Sequence, residues 1–342
     1  MASTKSVALV IGASRGIGRQ IAIDLASNGY AGNHTNYTRL FCKPHHHPIK
    51  HQLTTTPHLI VMLAAKTTSD ANNTTPFPPD PNSASSTITT VAREIHEAGG
   101  QAAAVTVDVR DPQQIQHAID ETLRVFGKLD VLVYNSGAIW WSSVENTPLK
   151  RFKLMQAVNP EGLYASVQSA LPVFGKGGWK GRIVVVCPPI YSRFFRGKTG
   201  YAIGKVGMSV LVKGLAMDFV RQERTEMAIT GIWPASSIES AATEFNKSDD
   251  KSYKKDLRKP NIFSDAILAM LRAPATQVNG LLDTDEDFLR EKCGVTDFSK
   301  YSVIPGATPR RIMPAKFPVL EVAEQDDEGN RMDSTKIRAA KI

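Results

Sequence analysis

Tyr201 and Lys205 stand four residues apart in the segment Tyr-Ala-Ile-Gly-Lys. Residues at this spacing share one face of a helix, so a phenol and an ammonium group can point at one bound molecule. A tyrosine with its ordinary pKa of about 10 is a poor acid at neutral pH, and a nearby ammonium lowers that pKa because it favours the phenolate. The pair predicts that Tyr201 transfers a proton to or from a substrate oxygen and that Lys205 lowers its pKa. The spacing alone is a weak signal, and the prediction depends on a second motif.

That second motif is the glycine-rich turn Gly-Ala-Ser-Arg-Gly-Ile-Gly at 12–18. It follows a strand-like apolar segment at 6–11 and precedes a helical pattern at 20–28. Glycine lets the backbone approach a pyrophosphate, and the N–H groups and partial positive charge of a helix N-terminus hold the anion. A glycine-rich turn without a ligand is the alternative. We predict a dinucleotide site that includes Gly12, Ser14, Arg15, Gly16, Ile17 and Gly18.

Composition narrows the class of protein. The chain has 342 residues, 42% of them apolar, as is ordinary for a globular enzyme. No apolar run approaches about 18 residues, so we expect no membrane span, and the strand-like start argues against a signal peptide. The formal charge of +8 is scattered and accompanies no recognition motif, which argues against a nucleic-acid partner. Three widely spaced cysteines fit a reducing compartment.

Strand-like segments alternate with helical ones along most of the chain. The strand, glycine turn and helix at the start of the chain have the order of a phosphate-binding βα unit, and we expect an α/β fold, a Rossmann-type doubly wound parallel sheet with helices on both faces, in a single domain over residues 1–305. Residues 306–342 are rich in proline and charge and are expected to form an extended tail. The predicted strands are 60–65, 103–107, 129–134, 183–190 and 228–232, and a helix is predicted at 149–171.

The spacing of the glycines, Asp108 after one strand, Asn135 and Gly137 after another, and the Tyr201/Lys205 pair together resemble the short-chain dehydrogenase/reductase family. The resemblance covers nearly the whole chain apart from one segment. Within that family the chain more specifically resembles the hydroxysteroid dehydrogenase-like members. We expect no sterol-carrier domain of the kind that often follows in that group. The segments that carry this narrower resemblance are 64–67, 107–111, 187–189, 233–234 and 302–306.

The resemblance implies roles for individual residues. Asp108, with Val109, would lie by the adenine ring, and Asn135, with Gly137, by the adenine ribose; both polar residues could instead be ordinary strand-end turn residues. Lys205 would also hold the nicotinamide ribose. Asn159 would anchor a proton-relay water, although an asparagine before Pro160 could simply kink its helix.

The residue that ends the second strand selects the cofactor. An acid there accepts hydrogen bonds from the ribose 2′-OH, whereas a cation accommodates a 2′-phosphate. Lys66 holds that place, no acid ends the strand, and Arg15 projects toward the same region. We predict NADP(H), with NADPH preferred over NADH. A merely exposed surface charge at Lys66 is the alternative.

One position departs from the family pattern. The family serine that precedes the tyrosine corresponds to Pro188, with Cys187 one residue earlier and Ser192 further along the loop. Loss of one donor to a developing oxyanion typically costs about 10²- to 10³-fold in turnover. The prediction of an enzyme stands beside an alternative, a cofactor-binding protein with little turnover that acts as a sensor or assembly partner.

The substrate is expected to be lipid-like, of steroid or fatty-acyl type, with a carbonyl and a secondary alcohol interconverted. Residues 235–260 follow the strand at 228–232 and are expected to form the substrate lid. Trp140, Trp141 and Phe194 could be pocket walls or core residues. A homo-oligomer is left open.

Residues 32–60 form an atypical insertion, rich in asparagine, threonine, histidine and proline. They roughly double the usual separation between the glycine turn and the residue at Lys66. A translated intron, and with it a faulty gene product, or a long surface loop explains the segment. Its Cys42 and histidines could be read as metal ligands, but three consecutive histidines cannot face one ion and we expect no metal site. A second polar loop occupies 67–87.

The chain ends Ala340-Lys341-Ile342, a variant of the small, basic, aliphatic C-terminal tripeptide that the peroxisomal import receptor binds. A polar, flexible tail would present it. We predict a peroxisomal location, with the cytoplasm or the mitochondrion as alternatives.

Overall fold

The computed structural model describes residues 5–27, 59–66, 83–244 and 251–321. Most of the insertion, including Cys42 and the histidines, lies outside these residues, as do most of the second polar loop and the C-terminal tripeptide. The predicted end of the insertion is wrong by two residues, because Leu59 is buried and Ile60 already pairs with Val7 in the sheet.

Nine strands belong to the described part of the chain. They are β1 (Val7–Ile11), β2 (Ile60–Ala65), β3 (Ala102–Thr106), β4 (Val131–Tyr134), β5 (Gly181–Val186), β6 (Met227–Trp233), β7 (Ser237–Ile238), β8 (Leu257–Arg258) and β9 (Leu282–Thr284). Seven of them form one parallel sheet in the order β3-β2-β1-β4-β5-β6-β9, and β7 pairs with β8. The strand order reverses direction between β1 and β4, as in a doubly wound sheet, and confirms the predicted fold class.

The helices cover both faces of this sheet. They are α1 (Gly16–Ala26), α2 (Ile88–Glu97), α3 (Pro112–Phe126), α4 (Leu149–Gln156), α5 (Gly162–Lys176), α6 (Thr199–Arg221), α7 (Ala241–Glu244), α8 (Asn261–Arg272), α9 (Ala275–Val278) and α10 (Asp285–Cys293). Strand β1 shows why two layers are needed. Ala8 and Val10 belong to the hydrophobic cluster with α1, α2 and α8, whereas Leu9 and Ile11 belong to the cluster with α3, α5 and α6. Alternate side chains of a strand point to opposite faces, so an all-apolar strand must be covered twice.

Local signals in the sequence explain where several helices begin and end. The Thr87 side chain accepts a hydrogen bond from the Thr90 amide, and the Thr90 hydroxyl accepts one from the Thr87 amide, which is a capping box at the start of α2. Asp111 caps α3 just before Pro112, and Gly127 ends it with φ 81°. Among the described residues, no helix has both the length and the apolar character to span a membrane.

A π turn, Ala157–Glu161, joins α4 to α5, so the predicted helix at 149–171 runs on to Lys176 with one irregular turn. Pro160 lies inside it. Proline has no N–H for the helical hydrogen bond and clashes with the carbonyl four residues earlier, and a locally widened turn relieves that clash. The asparagine before this proline therefore lies in an irregular turn of the helix.

Candidate active site

The glycine turn, Asn135 and Cys187 follow β1, β4 and β5. Parallel pairing of these strands brings their carboxyl ends to one edge of the sheet, which is where ligands of doubly wound folds bind. Lys205 donates to the carbonyl of Val186 at the end of β5, so the two motifs, which lie far apart in sequence, meet at this edge.

Steric constraints in the glycine turn suit a dinucleotide. Gly12 has φ +90° and Gly16 φ +55°, the region that favours glycine. A Cβ at Gly12 would lie 2.7 Å from the Ser136 nitrogen, and one at Gly18 would overlap the Gly12 carbonyl oxygen. Helix α1 begins at Gly16 after Arg15, whose side chain makes no capping hydrogen bond. The glycines leave room for a phosphate against the backbone of the turn, and no side chain caps the N-terminus of α1. Both features fit a bound pyrophosphate.

Two neighbours hold this turn in place. The Ser86 hydroxyl donates to the Ser14 carbonyl at 2.6 Å, and the Gly12 N–H donates to the Ala64 carbonyl at 2.7 Å. Ile17 packs on the adjacent hydrophobic cluster. The Asn135 side-chain amide donates to the Gly12 carbonyl at 3.0 Å, so Asn135 ties the turn to β4 in this structure. This contact matches the alternative interpretation of Asn135 as a strand-end residue.

The cation predicted to select the cofactor has an acidic neighbour. Lys66 Nζ lies 3.1 Å from Asp108 Oδ2, and Arg110 Nε donates to Asp108 Oδ1 at 2.9 Å. The Arg110 hydrogen bond, followed by the contact with Lys66, holds the pKa of Asp108 well below its usual range. No acid ends β2, as expected from the sequence, but the pairing of β2 with β3 brings Asp108, which follows β3, beside Lys66. Val109, predicted with Asp108, is buried in the hydrophobic core.

Tyr201 and Lys205 lie on α6 and both are buried. Lys205 Nζ donates to the Val186 carbonyl at 2.9 Å, and a Cβ at Gly137 would lie 3.4 Å from Nζ. Gly137 thus leaves room for the lysine. Burial lowers the pKa of Lys205 to about 8.

The expected lowering of the Tyr201 pKa does not occur in this arrangement. Burial raises the pKa of Tyr201, because removal from water disfavours the phenolate. The Lys205 ammonium is directed at the end of β5 by its bond to Val186. The prediction assumed that a shared helix face brings the Tyr201 hydroxyl and the Lys205 amine together. It did not include the Val186 carbonyl, which accepts a hydrogen bond from that amine.

Asn159 is buried within the π turn and fastens the loop after β4. Its Oδ1 accepts from the Ala138 N–H at 2.8 Å, and its Nδ2 donates to the Ala138 carbonyl at 3.1 Å. The Tyr134 hydroxyl donates to the Val158 carbonyl at 2.5 Å in the same turn. Asn159 therefore positions residues 138–141, next to the tyrosine.

Pro188, at the position of the family serine, and Cys187 before it do not offer a hydrogen-bond donor to a substrate oxygen at Tyr201. The Cys187 side chain is buried in the core with α6, and burial raises the pKa of its thiol to about 12. The Pro188 carbonyl accepts from the Ser209 hydroxyl at 2.7 Å. Ser192 is exposed at the start of the 3₁₀ turn Ser192–Phe195.

Aromatic side chains surround Tyr201. The rings of Trp141 and Phe194 each lie 6.3 Å from its ring, and Phe194 lies 5.8 Å from Trp233. Trp140 packs against the same cluster, and its indole Nε1 is buried without a hydrogen-bond partner in the described part of the chain. All three predicted aromatic residues are thus at the site. Trp233, singled out in the sequence only as part of the segment 233–234, also belongs to this cluster, and its place at the end of β6 was a usable signal.

Both ends of the predicted lid are fastened by the start of α10, which sequence reasoning also missed. Asp285 Oδ1 accepts from the Ala235 N–H at 2.8 Å, and the Ser236 hydroxyl donates to Glu286 Oε1 at 2.9 Å. Arg258 Nε donates to the same Glu286 oxygen at 2.9 Å, and both side chains of this ion pair are buried. Of the lid itself, residues 235–244 and 251–260 are described.

Known proteins resemble this chain in sequence and in fold. The family model described as short chain dehydrogenase matches residues 82–250. Hydroxysteroid dehydrogenase-like protein 2 is 33% identical in Danio rerio and 31% in Homo sapiens, over 87% of this chain and 60% of each relative. The matched part of the chain thus spans about three fifths of the length of these curated relatives.

Solved structures share the fold. A short chain dehydrogenase from Mycobacterium thermoresistibile is 31% identical with a TM-score of 0.69, and the match covers 90% of this chain and 93% of that one. A 7α-hydroxysteroid dehydrogenase complexed with NADH and 7-oxo glycochenodeoxycholic acid is 23% identical with a TM-score of 0.59, over 82% of this chain and 92% of that one. The second likeness bears on the fold alone.

Proposed function

The chain belongs to the short-chain dehydrogenase/reductase family, and from this premise we propose that it is an oxidoreductase that uses NADP(H) to interconvert a carbonyl and a secondary alcohol on a lipid-like substrate. The observation that carries the proposal is the position of Tyr201. Its ring is buried among Trp141, Phe194 and the rest of the aromatic cluster, at the sheet edge that also holds the glycine turn.

The chemistry assigned to each residue follows from its environment. A bound nicotinamide would supply hydride to a carbonyl carbon or accept it from an alcohol. Burial keeps Tyr201 protonated at neutral pH, so it can donate its proton to the substrate oxygen during reduction. Lys205, with a pKa of about 8, is mostly charged at pH 7, and its ammonium has N–H donors beyond the one given to Val186 with which to hold a ribose. Asn159 positions the loop after β4 through Ala138.

The proposed preference for NADP(H) rests on local charge. Lys66 and Arg110 contribute two positive charges against the single negative charge of Asp108. Arg15, which directly precedes α1, lies nearby. A cationic surface at this strand end favours a 2′-phosphate. We expect NADPH to bind at least about tenfold more tightly than NADH. Calorimetric titration of both cofactors tests this, with Lys180→Ala, a lysine that precedes the opposite end of β5, as the control for Lys66→Ala.

The aromatic side chains around Tyr201 support a lipid-like substrate. Aromatic side chains with few polar groups among them favour hydrocarbon over sugar or phosphate. The name of the curated relatives, hydroxysteroid dehydrogenase-like, agrees with a steroid substrate. The experiment is a screen of NADPH oxidation over ketosteroids, 3-ketoacyl-CoA thioesters and aldehydes. Turnover only with small polar carbonyls would contradict the proposed class.

A cofactor-binding role with little turnover is the second candidate. The buried Cys187 thiol and the proline after it favour it, because neither offers the substrate oxygen a hydrogen bond. The same screen separates the two candidates. Tight NADPH binding without oxidation of any carbonyl would support the sensor or assembly partner.

We also propose a peroxisomal location through Ala340-Lys341-Ile342, which lie outside the described residues. A fluorescent protein fused to the N-terminus, with and without these three residues, tests the proposal. Punctate fluorescence that becomes diffuse on deletion is expected. Diffuse fluorescence of the full-length fusion would point to the cytoplasm, and a tubular pattern to the mitochondrion.

A further inference from the structure

The segment that follows Pro309 is fastened across the predicted lid. The N–H groups of Ile312 and Met313 donate to the Ala235 carbonyl at 2.8 and 3.2 Å. The Arg311 guanidinium forms a two-pronged ion pair with Asp287, with Nη1 donating to Oδ1 at 2.7 Å. These bonds join the segment to the beginning of the lid and to the same helix, α10, that fastens the lid.

A second set of bonds holds the segment at the lid's far end and beyond. The Arg310 N–H donates to Asp256 Oδ1 at 3.1 Å, within the 3₁₀ turn that precedes β8. Farther along, Lys213 Nζ on α6 lies 2.8 Å from Glu321 Oε1. Bidentate Arg–carboxylate pairs and backbone hydrogen bonds fix orientation as well as position. Residues 310–317 are therefore a defined strip of structure, although they contain no helix or strand.

The apolar side chains of this strip continue the aromatic cluster of the site. The Tyr191 hydroxyl donates to the Met313 sulfur at 3.4 Å, and the rings of Tyr191 and Phe317 lie 5.7 Å apart at 64°. Tyr191 in turn lies 5.9 Å from Phe194, which is in contact with Tyr201. An unbroken series of aromatic contacts thus runs from Phe317 to the tyrosine. Met313 is buried, whereas Phe317 is partly exposed.

We propose that residues 310–317 form the outer wall of the substrate site and that Met313 and Phe317 are specificity-determining residues for substrates with long apolar chains. The inference deepens the proposed function and rests on it. A short ketone at Tyr201 would contact the aromatic side chains nearest to it, such as Trp141 and Phe194, without reaching the strip. A chain that extends past Phe194 would reach Tyr191 and the two side chains of the strip, and burial of its methylenes there would favour binding.

The test compares 2-dodecanone with 2-butanone in the NADP(H)-loaded protein. Phe317→Ala should lower kcat/KM for 2-dodecanone by about tenfold and change that for 2-butanone by less than about twofold. Phe317→Leu, which restores apolar volume, should recover most of the loss. Val319→Ala is the matched control, since Val319 lies two residues away and is 84% exposed. NADPH affinity should stay constant in all of these variants. Equal losses for both ketones, or no loss for either, would overturn the proposal.

A binding measurement separates this inference from the proposed chemistry. The Kd of 2-dodecanone, measured by calorimetry on the NADP⁺-loaded protein, needs no turnover. We expect Phe317→Ala to weaken it by about tenfold relative to Val319→Ala. If the wild type binds 2-dodecanone and Phe317→Ala weakens that binding, but NADPH is not oxidised, the proposed reaction is contradicted and the proposed outer wall is supported. No binding by the wild type, or equal binding by both variants, would contradict the wall.

Discussion

At the residue scale, the amine of Lys205 is the group whose environment departs most from what its motif implied. Its helix position was predictable from the spacing to Tyr201, because i and i+4 share a face. Its partner was not, since the Val186 carbonyl comes from a separate strand. The same limit applies to Asp108, which lies beside Lys66 only because β2 and β3 pair in the sheet. The spacing of residues along the chain predicts which side chains share a face of a helix. Contacts between distant segments depend on how the whole chain folds.

The buried amine gives a pH dependence of stability. The pKa of Lys205 is lowered from 10.5 to about 8 in the folded chain, so the unfolded chain binds more protons between these values. The free energy of unfolding therefore gains a contribution of order 3 kcal/mol from this group as the pH rises through that window. Lys205→Met should lack this gain.

Urea unfolding at pH 8 and pH 10 measures it, as the difference between wild type and variant. Other groups titrate in the same range, so the comparison with Lys213→Met, a half-buried amine on the same helix, is the control. If wild type and Lys205→Met change in parallel with pH, the amine is not held with a lowered pKa.

At the element scale, the strands were the best-predicted parts of the chain, because residues buried on both faces form short, continuous apolar runs. β2 matches its predicted bounds and β1 differs by one residue. The π turn was not predicted as such, since proline announces a disturbance of a helix but not its geometry. The lid's attachment to α10 was missed because Glu286 and its partners are far apart in sequence and none belongs to a recognisable motif.

The glycine turn offers a prediction with a matched control. Gly18→Ala places a Cβ against the Gly12 carbonyl oxygen, which is backbone and cannot move without opening the turn. NADPH affinity should fall by more than about tenfold. Gly214→Ala, on α6 with nothing within 4 Å of the added Cβ, should keep the affinity and gain up to about 1 kcal/mol of stability. Calorimetric titration and urea unfolding measure the two effects. Unchanged NADPH binding in Gly18→Ala would argue against this turn as the phosphate site.

The ion pair that fastens the lid predicts a large loss of stability. Arg258→Ala removes the buried cation and leaves the buried Glu286 carboxylate with the more exposed Arg290, 3.7 Å away, as a weaker partner, so the loss should approach about 3–5 kcal/mol, the range typical of a broken buried pair. Arg93→Ala breaks an exposed pair with Glu97 and should cost less than about 1 kcal/mol. Denaturant unfolding of both variants measures the difference. A loss at Arg258 no greater than at Arg93 would show that the pair is solvated and that something else fastens the lid.

At the scale of the whole molecule, the sheet edge unites the glycine turn, the Tyr201 cluster and the strip at 310–317. The doubly wound sheet was predictable from the βα unit at the glycine turn and from the resemblance to a family, and so was the meeting of the two motifs. The position of the strip was not, because a proline- and charge-rich composition describes a segment that lacks regular structure and says nothing of whether it is docked. Here ion pairs and backbone hydrogen bonds dock it.

The central claim is that Tyr201 is the acid of a carbonyl reduction in this molecule. The measurement is the rate of NADPH oxidation with the best carbonyl of the screen, for wild type and Tyr201→Phe, beside the NADPH Kd of each. The account predicts that the variant loses nearly all turnover while its Kd stays within about threefold, since only the proton donor is removed. Tyr164→Phe, an exposed tyrosine, should behave as wild type. Residual turnover above about 10% in Tyr201→Phe would show that another group protonates the substrate and would contradict the account.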